Sequence, residues 1–395
     1  MSFDFETLVD RTGGASMKWS TPPDLDPARL RYRDILPMWV ADMDFQSPPA
    51  VLDALRDAVE HGIFGYPRVT PDFIEAVVDW QSRRFGWAPD PAWTVVTSGV
   101  VTALKTAIQT FSRPGDTVLV QPPVYGHFVG DAILNGRGIV EAPLRLDDAR
   151  HPGFDAAAFE AAIRPDTRLF ILCNPQNPTG TVWSSDDLRA MGEICARHGV
   201  VVVADEIHQD FVFEPSRHVS FGSLGPDVAG RAVILTSASK TFNLAGLACA
   251  VVFLPDPVMR EAFRRRQEEN GTEHVDAFGL ITTEAAYRHG EPWLEALHVR
   301  LAENRRLFGE GLTSSGSPLR VVPSDALYLV WVDASALAAD GRDLYDRLLH
   351  DGGLRIDPGT KFDSRAKHFF RINLACPKAR IEEAVRRLAA LSSEM

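Results

Sequence analysis

In the stretch Arg231 to Ala248, RAVILTSASKTFNLAGLA, an apolar run leads straight into Lys240, with Ser237 and Ser239 beside it. Burying an unpaired ammonium is costly, so a lysine in such company has a use for its charge. Desolvation lowers a lysine's pKa and leaves a nucleophilic amine able to form a Schiff base. The plain alternative is a loop lysine that reaches solvent, the commoner case for any single lysine.

Other residues share this strand-end setting. Asp205 in VVVVADEIHQD follows five apolar residues, at a depth where a lone carboxylate resists ionisation. It either faces a cation, such as a protonated heteroaromatic nitrogen, or caps a neighbouring loop, and taken alone it leaves both open. NPQNPTG from Asn174 is stiffened by two prolines, which aims Asn177 in a set direction. Tyr125 in QPPVYGHF either covers a planar ring or packs. TSGVVTALKTAI puts Ser98 and Gly99 at a helix start, where backbone N–H groups and the helix dipole attract a phosphate, although serine-glycine turns cap many helices. Together these features describe a ligand with a phosphate, a flat ring, a ring nitrogen matched to a carboxylate and an aldehyde matched to an amine. Pyridoxal phosphate has all four.

Such groups meet only if the strands that carry them end side by side. Short β-rich runs recur: WTVVTS from Trp93, DTVLVQ from Asp116, LFILCN from Leu169, VVVVAD from Val200 and AVILTS from Ala232. Helical periodicity over Thr102 to Phe111 and Ser185 to His198 separates several of them. Runs apolar on both faces and alternating with helices predict an α/β fold, a mostly parallel sheet covered by helices, with ligands bound at the carboxyl ends of the strands. From about Glu291 the pattern changes. A long amphipathic helix to Leu312, ALYLVWVD, a helix around Asp343 to His350, HFFRINLA and a final helix from Pro377 predict a smaller α+β domain. The division expected is 1–47 for an N-terminal arm and part of the small domain, 48–290 for a large cofactor-binding domain, and 291–395 for the small C-terminal domain.

Composition narrows the partners. The 395 residues, 45% hydrophobic and 24% charged, suit an ordinary globular protein. With 41 lysines and arginines against 53 acids, the net charge of -12 argues against nucleic acid or anionic membrane as partner. MSFDFETLVDRTGG lacks the basic start and apolar core of a signal peptide, and no later run is long enough for a membrane span, so a cytoplasmic protein is expected. Cys173, Cys195, Cys249 and Cys376 are widely spaced with no C-x-x-C and read as core residues; no metal is expected.

The order S-G-x-x, Y, N-P-T-G, D-x-x-(Y/H), S-x-x-K, followed by a later arginine, resembles the fold-type I pyridoxal-phosphate enzymes of the aspartate aminotransferase superfamily. The resemblance implies that Lys240 forms the Schiff base, Asp205 partners the pyridinium nitrogen, and Asn177 with His208 donates to the ring hydroxyl. It further implies that Tyr125 stacks on the ring, that Ser237, Ser239 and the backbone of Gly99, Val100 and Val101 hold the phosphate, and that Arg371 in HFFRINLA binds the substrate carboxylate with its guanidinium fork. Many aminotransferases place a phosphate-binding arginine soon after the lysine, whereas KTFNLAGLACA has none. That departure, together with SMKW, LPMWVADMDF, HGIFGYP, SGVV, PVYGHF, NPQNPTG, DEIHQDF and SKTFNLAGL, is similar to the MalY/PatB group of cystathionine β-lyases, or C–S lyases, from about residue 16 to 376.

This resemblance implies a homodimer in which Tyr66 reaches the partner's cofactor phosphate. It also implies β-elimination of a small amino-acid substrate, L-cystathionine or a related S-substituted L-cysteine, to a thiol, pyruvate and ammonia. Tyr125 and Tyr66 both stand near the expected proton transfers, and the sequence does not choose between them. An aminotransferase shares every core residue, as does an enzyme that decarboxylates or oxidises the same bound substrate. A regulatory binding protein on this fold is a further reading, and intact Lys240, Asp205, Asn177 and Arg371 argue for retained catalysis.

Overall fold

The computed structural model describes residues 3–146, 152–337 and 343–392, which form two compact units. One comprises Ser47–Asn177 and Thr181–Leu294; the other comprises the residues up to Gln46, Pro178–Gly180 and those from Glu295 on.

The first unit is built on a seven-stranded sheet of β1 (Thr94–Thr97), β2 (Thr117–Val120), β3 (Gly138–Glu141), β4 (Thr167–Cys173), β5 (Val201–Asp205), β6 (Val233–Thr236) and β7 (Ala250–Phe253). Their spatial order is β1-β7-β6-β5-β4-β2-β3. β1, β2, β6 and β7 are buried at every position, so both faces are covered and no apolar/polar alternation is needed. The pairs from β3 through β6 are parallel, and β7 runs antiparallel to both β1 and β6. The predicted α/β sheet is therefore present, with two strands the predicted runs omit. β3 is an edge strand buried at Val140 alone, which leaves it a weak apolar signal. β7 follows the Lys240 turn with no long helix between, which breaks the strand–helix alternation that the prediction relies on.

The covering helices follow from spacing and caps. Helix Val100–Phe111 buries Val100, Ala103, Leu104, Ala107 and Ile108, one stripe at the helical period. Helix Ser185–Arg197 starts where Ser184 Oγ accepts the N–H of Asp187 at 3.0 Å, with Asp186 and Asp187 at its positive end.

The second unit holds the antiparallel strands β8 (Arg320–Val321), β9 (Leu329–Asp333), β10 (Asp357–Pro358) and β11 (Phe369–Asn373), in the order β8-β9-β11-β10. Val330, Val332, Phe370 and Ile372 pack with Phe308 and Leu312 of helix Glu291–Ser314 and with Ile381 and Leu388 of helix Lys378–Ser392. The SMKW and ADMDF motifs lock to each other here. The Lys18 ammonium, 1% exposed, pairs with Asp44 at 2.9 Å, and the Trp39 indole N–H donates to the Lys18 carbonyl at 3.0 Å. Among the described residues no helix is long and apolar enough to cross a membrane, and no group of three or more His, Cys, Asp or Glu is arranged to hold a metal ion.

Candidate active site

β4, β5 and β6 end in register: Cys173 lies opposite Asp205, and Asp205 opposite Leu235. The segments that follow leave the sheet side by side, bearing Asn177, the Asp205–Asp210 turn and Lys240. The Asn174 N–H donates to the Asp205 carbonyl at 2.9 Å, which knits the first two together. Gln176 Nε2 donates to the carbonyls of Gln121 at 3.1 Å and Pro123 at 2.9 Å, fastening the Asn177 loop to the one that leads to Tyr125. Asn177 and His208 are buried on these loops. Tyr125, half-buried, stands at the start of helix Gly126–Leu134 with its ring 5.0 Å from that of His127.

Asp205 is 6% exposed. Burial pushes its pKa up to about 7 and Glu206 adds to the rise, while the Ile207 N–H, 3.1 Å from Oδ1, and the charge of Lys240 pull it down. Such a carboxylate ionises fully only opposite a cation. An acid whose folded pKa lies above its unfolded value of 3.8 contributes stability below that value and loses it as pH rises through about 7. The ligand-free protein is therefore expected to melt at a lower temperature near about pH 8 than near about pH 5, with a shallower fall in Asp205→Asn, on the order of 3 kcal/mol being lost between the two. Differential scanning calorimetry of both proteins checks it; equal slopes would refute the assignment of that cost to Asp205.

Gly99 caps helix Val100–Phe111 with φ 156° and ψ 159°, and no side chain occupies the cap. A Cβ built there would meet nothing within 4 Å, so the first N–H groups of the helix, including those of Val100 and Val101, have an open approach for an anion. Lys240 rides on a four-residue helix, Ala238–Thr241. Ser237 caps it: its Oγ accepts the Ser239 N–H at 3.0 Å, donates to the Cys249 carbonyl at 2.6 Å, and lies 2.9 Å from the Ser239 hydroxyl. A buried carboxylate that wants a cation, an amine on the adjacent turn and an open helix start fit pyridoxal phosphate.

Tyr66 stands apart from this group, 98% exposed in the segment between helices Pro49–His61 and Pro71–Phe85. Arg371 belongs to the second unit, on β11 directly across from Asp357 of β10. Its Nη2 donates to Asp357 Oδ2 and, at 3.4 Å, to the Trp39 carbonyl, and the guanidinium carbon lies 4.7 Å from the centre of the Phe362 ring. Burial alone would raise the Asp357 pKa, but Arg371 and Lys361, the latter at 2.7 Å, bring it below the ordinary aspartate value. Sequence reading missed Asp357 because β10 is two residues long and carries no periodicity. It missed Glu206 as well. That side chain is fully buried and accepts from the Phe221 N–H at 2.7 Å, Asn174 Nδ2 at 3.1 Å and His218 Nε2 at 3.3 Å. The sequence signal for it is a second acid directly after the apolar run.

The chain is similar in sequence and in fold to known proteins. The chain is 39% identical over 391 residues to cystathionine beta-lyase PatB of Bacillus subtilis (strain 168), spanning 99% of this chain and 100% of that one. It is 32% identical over 387 residues to protein MalY of Escherichia coli (strain K12), 97% of each. Its fold matches the crystal structure of cystalysin from Treponema denticola, which contains a pyridoxal 5'-phosphate cofactor, with a TM-score of 0.93 and 27% identity over 100% of both chains. Residues 33–388 match the profile for aminotransferase class I and II, a span that takes in the Gly99 helix start, the ends of β4 to β6 and Arg371. The chain belongs to the aminotransferase class I and II family.

Proposed function

We propose that this protein is a pyridoxal-phosphate-dependent carbon–sulfur lyase that converts L-cystathionine or a related S-substituted L-cysteine, with water, into a thiol, pyruvate and ammonia. The observation that carries the cofactor assignment is the in-register ending of β4, β5 and β6, which sets buried Asp205 between the Asn177 loop and the Lys240 turn. Full-length similarity to PatB supports sulfur as the leaving atom.

Pyridoxal phosphate, when bound, supplies an electron sink conjugated with the substrate's α-carbon. Asp205 holds a proton on the ring nitrogen, which relieves the cost of its own burial. Asn177 and His208 donate to the ring hydroxyl, and Tyr125 covers the ring. The N–H groups of Gly99, Val100 and Val101, with Ser237 and Ser239, hold the phosphate. Arg371 orients the substrate through its carboxylate. The Lys240 amine takes the proton from the α-carbon, the Cβ–S bond breaks, and the thiolate leaves with the bonding pair.

The enzyme is a homodimer in this reading, with Tyr66 serving the partner's phosphate. Its near-complete exposure, beside exposed Ile63 and Phe64, supports that placement. Four buried free cysteines suit a reducing compartment such as the cytoplasm.

The test is L-cystathionine supplied to the purified, cofactor-loaded protein without a keto-acid acceptor. Pyruvate and homocysteine in equal amounts are expected. Turnover that requires a keto-acid acceptor and releases no thiol would make the protein an aminotransferase instead.

A further inference from the structure

The helix that carries Lys240 is too short to hold itself. One hydrogen-bonded turn does not offset the entropy of ordering its residues, so a four-residue helix stays in place only through ties to its surroundings. Its first end is tied by Ser237, as described. At its last end Thr241, fully buried, donates its hydroxyl to Asp210 Oδ2 at 2.7 Å.

Asp210 is itself an unusual residue to find there. It is 3% exposed, and its Oδ1 lies 3.8 Å from Arg84 Nε, longer than a hydrogen bond. It stands five positions after Asp205 on the turn that follows β5, and that turn is stiff: Gln209 N–H bonds the Glu206 carbonyl and Phe211 N–H the His208 carbonyl, both at 2.9 Å. Gln209 Nε2 adds a bond to Thr236 Oγ1 at the end of β6, at 2.9 Å, next to Ser237. Buried charge is costly, and a Thr–Asp bond brings no packing that an apolar pair of the same shape would lack. Orientation is what the bond does supply.

We infer that Asp210 is a positioning residue: through the Thr241 hydroxyl it fixes the Lys240 helix to the same turn that presents Asp205. The amine and the carboxylate that face opposite parts of one cofactor thereby share a rigid mount. This role rests on the assignment of Lys240 and Asp205 to pyridoxal phosphate. Loss of the tie lets the lysine drift, and a misplacement of about 1 Å costs on the order of 100-fold in rate.

The experiment uses the cofactor-loaded protein and the variants Thr241→Val, Thr241→Ser, Asp210→Asn and the double variant Asp210→Asn/Thr241→Val. Steady-state kinetics with L-cystathionine are read together with the visible circular dichroism of the lysine-linked cofactor, which reports how firmly it is held. Thr241→Val, which keeps the shape and removes the hydroxyl, is expected to lower kcat roughly 10- to 100-fold with KM within about twofold, and to weaken the visible dichroism. Thr241→Ser restores both, and the double variant is no worse than Thr241→Val, because the two residues act as one unit. Wild-type kcat and dichroism in Thr241→Val would overturn the inference. So would equal loss in Thr241→Ser, which would assign the effect to the methyl group, or additive losses in the double variant. If Asp210→Asn does not fold, the two Thr241 variants decide the matter alone. A wild-type protein whose bound cofactor never becomes linked to a lysine would instead overturn the Lys240 assignment, and the positioning role with it.

Discussion

Lys240→Ala is expected to lose β-elimination by at least about 10³-fold in kcat while still binding pyridoxal phosphate. The size follows from the double duty proposed for one amine. It links the cofactor covalently, and it is the base placed to take the α-proton; positioned proton transfer alone contributes about 10²- to 10⁴-fold. Binding is expected to persist because most of the proposed phosphate and ring contacts lie on other elements: the helix start at Gly99, the Asn177 loop and Asp205. The check is pyruvate release together with borohydride reduction, which should fix the cofactor to the wild-type chain and not to the variant. Labelling that persists in Lys240→Ala would point to another lysine and sink the assignment.

The second large effect is expected at Arg371, where binding and stability must be separated. Arg371→Ala would remove the two charge-assisted bonds proposed to the substrate carboxylate, about 3 to 4 kcal/mol, so kcat/KM should fall about 10²- to 10³-fold, mostly through KM. It also strips a buried acid of its closest buried cation. Asp357 and Arg371 are both about 4% exposed, and orphaning one member of such a pair costs on the order of 3 kcal/mol, the low end of the range because Lys361 remains at 2.7 Å. Arg371→Ala/Asp357→Ala should recover most of the melting temperature and none of the substrate affinity. Arg371→Lys should keep much of the stability and still raise KM, since an ammonium lacks the planar fork. If the double variant recovered KM along with stability, Arg371 would be a structural residue and the substrate's carboxylate would bind elsewhere.

The parallel sheet was legible because its evidence is local. A strand covered on both faces reads as an uninterrupted apolar run, and LFILCN, VVVVAD and AVILTS are such runs, each ending in a residue that cannot stay in the core without a partner. Lys240 and Asp205 announced themselves for that reason. The omitted strands differ: Gly138–Glu141 sits half-covered at an edge and has no such run, whereas Ala250–Phe253 is equally apolar but runs on into Leu254 and Pro255 with no polar residue at its end, and it enters the sheet antiparallel, a direction set by its neighbours.

Composition, spacing and the resemblance they carry thus determined the class of fold, the cofactor chemistry and the list of candidate residues. Tertiary structure alone decided the company those residues keep. Asp357 beside Arg371, Thr241 on Asp210 and Lys18 against Asp44 join positions 14, 31 and 26 apart in the chain. A lone buried charge is improbable, so the sequence shows that each must have a partner. Which partner is settled by strand register and loop closure, and these depend on the packing of the whole unit.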